Sequence, residues 1–69
     1  MRNVRASLLM NCLWYEDISP EDLANALEIT PEDLFRKIFQ EEDFTLGEIR
    51  QIVGLLGLTD EETDTIFFD

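Results

Sequence analysis

Four helix starts are spelled out in this sequence, and they leave little room for anything but an all-α fold. The stretch Ile18-Ser19-Pro20-Glu21-Asp22-Leu23 recurs as Ile29-Thr30-Pro31-Glu32-Asp33-Leu34, offset by 11 residues. In each copy the hydroxyl of Ser19 or Thr30 can accept from an otherwise unpaired first-turn amide. Pro20 and Pro31 then take the first helical position, where no N–H is needed. Asp22 and Asp33 stand where a capping-box acid stands, although Glu or Gln suits that position better. Ile18 with Leu23, and Ile29 with Leu34, are spaced as hydrophobic staples. Thr45-Leu46-Gly47-Glu48 and Thr59-Asp60-Glu61-Glu62 are two further capping boxes, the first with Phe44 and Ile49 as its staple.

The segments between these starts have helical periodicity. A first helix over about 3–15 offers the stripe Val4, Leu8, Cys12 and Tyr15. A second over about 20–27 offers Leu23, Ala24 and Leu27, and a third over about 31–40 offers Leu34, Phe35, Ile38 and Phe39. The fourth, about 46–56, offers Ile49, Ile52, Val53 and Leu56, with Gly57 placed to end it in the left-handed conformation. A short fifth helix, about 60–67, carries Ile66 and Phe67, with Phe68 just beyond it. No run alternates with period two, so the expectation is one compact five-helix domain over 1–69 without a sheet. The 11-residue repeat occurs only twice, which reads as shared cap chemistry rather than a solenoid.

At 69 residues the core is small, and Cys12, the single cysteine, cannot staple it internally. The absence of histidine excludes imidazole acid–base chemistry and the usual zinc sites. Nor does any Ser, Cys or carboxylate pair come with a base or orienting group, so the sequence reads as a non-enzyme without cofactor or metal. Glu41-Glu42-Asp43 lacks the ligand spacing of a calcium loop, and Asp60, Glu61, Glu62 and Asp64 are likewise read as solvated. The apolar run Leu8–Tyr15 is interrupted by Asn11, lacks a small-residue cleavage site and is far shorter than a bilayer span. A cytoplasmic protein without a membrane segment is expected.

Residues 18–40 resemble the helix-turn-helix of small phage Cro and lambda-repressor-like regulators, with Leu23, Ala24, Leu27, Ile29, Leu34 and Ile38 at that family's core positions. The stretch from Phe44 to Thr59 resembles its fourth helix and the turn into a fifth. The resemblance implies that the second motif helix reads bases in a major groove. The matching positions are Thr30, Pro31, Glu32, Asp33 and Arg36, with Lys37 beside them. Pro20 stands where the family commonly has a backbone-contacting Gln, and Glu28 where the turn often has Gly.

The charge opposes that implied activity. The chain carries 16 acids against five bases, a net charge of −11, and 16–35 contains seven acids and no base. Phosphate contacts supply most non-specific DNA affinity, and Arg36 and Lys37 are the only cations on the motif. Eight acids lie in first turns, where the helix dipole favours them, but their placement on the motif face is informative. The leading expectation is therefore a small phage-type regulatory or inhibitor protein that binds a basic, nucleic-acid-binding protein through Glu21, Asp22, Glu28, Glu32 and Asp33. Such a face would mimic DNA charge, as in some small phage inhibitors, anti-CRISPR proteins among them. The alternatives are a Cro-type repressor reading DNA with Thr30, Glu32, Asp33, Arg36 and Lys37, and a purely structural scaffold. Leu9, Met10, Leu13 and Trp14 exceed what one core face needs and offer a homodimer or partner surface, or else a wide core contact with Trp14 beneath the last helix.

Overall fold

Each capped start opens a helix in the computed structural model, which describes residues 4–39 and 42–68. The elements are α1 (Ala6–Tyr15), α2 (Pro20–Leu27), α3 (Pro31–Ile38), α4 (Leu46–Leu56) and α5 (Asp60–Thr63), the last continuing as a π-helical turn, Asp64–Phe68. No strand occurs among the described residues. The second and fourth helices have the expected bounds. The third ends two residues early, at Ile38, with Phe39 as its cap, while Asn3, Gln40 and Glu41 lie outside the described residues.

The caps form as the residue types dictate. Ser19, Thr30, Thr45 and Thr59 each accept, through the hydroxyl, from the backbone N–H three residues on, at 3.1 Å in every case. The reciprocal half of the box closes with Glu48 (2.8 Å), Glu62 (2.9 Å) and, more loosely, Asp22 (3.4 Å). Aspartate is one methylene shorter than glutamate, which accounts for the longer bond. Asp33 makes no such return bond; its carboxylate accepts from Arg36 at 2.8 Å instead.

Three of the connectors are copies of one joint. In Asp17-Ile18-Ser19, Glu28-Ile29-Thr30 and Gly57-Leu58-Thr59 the first residue is left-handed, with φ of 57°, 60° and 64°. The middle residue donates its N–H back to a carbonyl five residues earlier: Ile18 to Leu13 (2.9 Å), Ile29 to Ala24 (3.0 Å) and Leu58 to Val53 (3.1 Å). This is the Schellman ending, with its apolar residue just past the left-handed position. That residue packs on the core, and the third residue caps the next helix. The 11-residue repeat is thus a repeat of helix joints, with a third copy at 57–59.

The joints fold the chain into a body of 26 × 26 × 21 Å, with α2 packed on α3 and α4, and α1 on the π-helical turn. Leu9, Leu13, Leu23, Leu34, Ile38, Ile52 and Phe67 fill its centre. Phe44 meets Phe67 edge to face, centroids 5.7 Å apart, and so joins the segment before α4 to the end of the chain. The Arg5 N–H donates to the Ile66 carbonyl at 2.8 Å, tying the start of α1 to the same region.

Two helices are rotated from the expected faces. In α1 the core ridge is Leu9 and Leu13 with Val4, not Leu8, Cys12 and Tyr15; Leu8 and Cys12 are half-buried and Tyr15 is 85% exposed. This helix is apolar nearly all round, so two ridges of equal spacing compete, and two leucines bury more apolar surface than Leu8 with a cysteine. Leu9 and Leu13 are therefore not available as a dimer surface. Trp14, expected beneath the last helix as one option, is instead 83% exposed. In α3 the core takes Leu34 and Ile38 and leaves Phe35 and Phe39 outside, because a two-turn helix has one ridge against α2.

Candidate functional site

The outward face of α3 is Glu32, Phe35, Arg36 and Phe39, which together line a shallow hollow of about 290 Å³. Their spacing of three, four and seven residues puts them on one stripe. Phe35 and Phe39 stack one turn apart, with centroids 6.2 Å apart and an interplanar angle of 17°. Phe35 is 40% exposed and Phe39 63%. Two adjacent aromatic rings on the solvent side of a helix form a small apolar patch of the residue type that is enriched at protein interfaces.

The cations of the motif are both engaged. Arg36 donates to Asp33, each side chain about half exposed. Lys37 folds away from the surface and is only 12% exposed: its ammonium lies 3.2 Å from Glu48 and 4.0 Å from Glu42. It also donates to the Asp43 carbonyl at 3.3 Å and sits 6.0 Å from the Phe44 ring centre. Lys37, one of the residues that a DNA-reading mode would use, is thus a strut between α3 and α4. Thr30, another, spends its hydroxyl as the α3 cap.

The five acids expected to act together fall in different places. Glu32 and Asp33 lie in the first turn of α3, Glu32 at the aromatic hollow and Asp33 bound to Arg36. Asp22 belongs to a separate hollow of about 440 Å³ at the α1–α2 joint, shared with Asp17, Trp14, Met10 and Pro20. Glu21 is exposed in the first turn of α2. Glu28 occupies the turn between the motif helices, left-handed at φ 60° and ψ 39°. Among the described residues, no side-chain hydrogen bond or ion pair involves the carboxylates of Glu21, Glu28 or Glu32.

Local structure explains some acids and not others. Those of the first turns meet the positive end of a helix dipole. Glu28, and Glu16 with Asp17 at the end of α1, stand at negative helix ends, where a carboxylate is disfavoured. Two of these three are also non-glycine residues at positive φ. Capping therefore accounts for Glu21, Asp22, Glu32 and Asp33, whereas Glu28 carries its charge against local preference. Sequence reasoning missed Phe35 and Phe39 as surface groups, although the shortness of α3, with a Phe directly after each residue of the Leu34–Ile38 ridge, was a usable signal.

Comparison of the chain with family models, with curated proteins and with solved structures finds no match.

Proposed function

We propose that this chain is a small regulatory or inhibitor protein that binds another protein through the outward face of α3. The observation that carries this reading is the stacked Phe35–Phe39 pair beside Glu32. Exposed aromatics supply the desolvated anchor of a protein interface, and unpaired carboxylates select a basic rim around it. Phosphate binding would need free cations on this helix, and its two are held by Asp33 and by Glu48 with Glu42. The partner chemistry is a basic surface with an apolar pocket for two phenyl rings. A basic surface that itself binds nucleic acid fits, since the acids around α3 would occupy it as a charge mimic, in the manner of small phage inhibitors.

The test pairs DNA titration with partner capture. At low salt, where phosphate contacts are strongest, the chain is expected not to bind mixed-sequence duplex. It is expected to capture a basic protein that Phe35→Ala with Phe39→Ala, or Glu32→Lys with Asp33→Lys, no longer captures. Saturable duplex binding that Arg36→Ala weakens would restore the repressor reading.

A further inference from the structure

A second surface of the chain has features that its charge pattern makes specific. Between α1 and α5 runs a groove of about 570 Å³, floored by Leu8, Cys12 and Ile66 and flanked by Glu61 and Glu62. It continues, through the shared residues Cys12, Tyr15 and Glu62, into a hollow of about 350 Å³ that reaches Leu58 and Glu16. No residue of this groove belongs to the α3 hollow. We propose that the α1–α5 groove is a docking site for a basic amphipathic helix of a partner protein, independent of the α3 face.

Shape and polarity fit a helix laid in the groove. The floor is apolar, and the α1 wall is 10 residues long, about 15 Å, which matches two to three turns of a bound helix. Tyr15, 85% exposed at the mouth, offers a ring face on which a Lys or Arg of the occupant can rest.

The electrostatics set the sign of the occupant. Glu16, Glu61 and Glu62 line the groove, and no Lys or Arg lines it among the described residues. Glu62 is fixed by its bond from the Thr59 N–H, whereas no hydrogen bond or ion pair engages the Glu16 or Glu61 carboxylate among the described residues. The Cys12 thiol on the floor responds to this field: its pKa is raised by partial burial, then by Glu62 and Glu16. A second copy of the chain would bring its own net charge of −11 to the same place and be repelled. A cationic helix with an apolar ridge satisfies both the floor and the rim.

Cys12, being the only cysteine, reports occupancy directly. The probe is a 14-residue Leu/Lys amphipathic peptide, compared with a Leu/Gln peptide of the same pattern and a Lys/Ser peptide of the same charge. Iodoacetamide alkylation of Cys12 is expected to slow at least tenfold under saturating Leu/Lys peptide, and not under the other two. Glu16→Lys with Glu61→Lys, both exposed and with carboxylates that make no cap bond, should weaken peptide binding at least tenfold while far-UV circular dichroism is unchanged. Glu32→Lys with Asp33→Lys on α3 should leave the protection intact, so failure here and failure of the α3 reading are separable. Peptide binding that leaves Cys12 reactive, equal protection by the uncharged peptide, or concentration-dependent protection of the chain by itself would each overturn the proposal.

Discussion

Replacing Glu28 by glycine should make this protein more stable, although it removes a side chain from the centre of the motif. Glu28 ends α2 at φ 60°, where a Cβ crowds the following carbonyl oxygen. That conformation costs a non-glycine residue about 1–2 kcal/mol. Glycine forfeits roughly 0.4–1 kcal/mol of this through its freer unfolded chain. Removing a carboxylate from the negative end of α2 returns a few tenths, about 0.3 kcal/mol at an exposed position. The net expectation is a gain of about 1 kcal/mol, which in a domain of this size raises Tm by roughly 4–8 °C. The backbone bonds of the joint, from Glu28 N–H to Asn25 and from Ile29 N–H to Ala24, do not depend on the side chain and should survive. A ladder of variants followed by thermal circular dichroism separates the two contributions. Glu28→Ala removes charge but keeps the strain, so it should gain no more than about 0.3 kcal/mol. Glu28→Asn, which tolerates the left-handed region, should fall between Ala and Gly. A glycine variant that melts at or below the parent would refute the reasoning, because the side chain would then be stabilising the turn. Stabilisation accompanied by weaker partner capture would show that the acid is retained for contact at the expense of stability.

Other perturbations test the remaining placements. Leu9→Ala should cost about 2–5 kcal/mol, enough to unfold much of the population, whereas Phe35→Ala with Phe39→Ala should shift stability by only about 1 kcal/mol; denaturant melts compare them. Lys37→Ala leaves the half-buried Glu48 without its cation and should cost about 2 kcal/mol, while Arg36→Ala should cost less than about 0.5 kcal/mol by the same assay. Alkylation of Cys12 followed against pH should rise through a midpoint above that of a free thiol. Because the folded pKa is raised, the neutral thiol's contribution to stability is complete below the ordinary thiol range and lost as pH climbs through the folded value. A midpoint at or below that of a free thiol would contradict the partial burial of Cys12 and the placement of Glu62 and Glu16 beside it.

The fold was largely legible because its signals are local. A Ser or Thr followed by Pro and acids, or by Glu at the third position, announces a helix start whatever the tertiary context, and every such start opened a helix. The rotation of α1 was not legible from spacing, since Leu8 with Cys12 and Leu9 with Leu13 share it; what separates the two ridges is the greater apolar area of two leucines. The joints were only partly visible: Gly57 announced its left-handed turn, whereas Asp17 merely tolerates that conformation and Glu28 has a side chain that normally avoids it. Lys37 counted as surface charge in the sequence and became a strut, because its partner Glu48 lies on the next helix, 11 residues away. The acids of the candidate site were visible as a set; their division between the α1–α2 joint and the α3 face needed the packing.

The repeated joint also bears on how quickly the chain reaches its native state. Each copy completes itself with hydrogen bonds spanning no more than five residues, so forming it closes only a very short loop. Three of the turns that set the path of the chain can form before any distant contact. The long closure, from Arg5 to Ile66, then joins pieces whose directions are already set. A helical domain assembled in this way has low contact order and should fold in microseconds to milliseconds. Slowing at a joint would then show which of the three is made in the transition state.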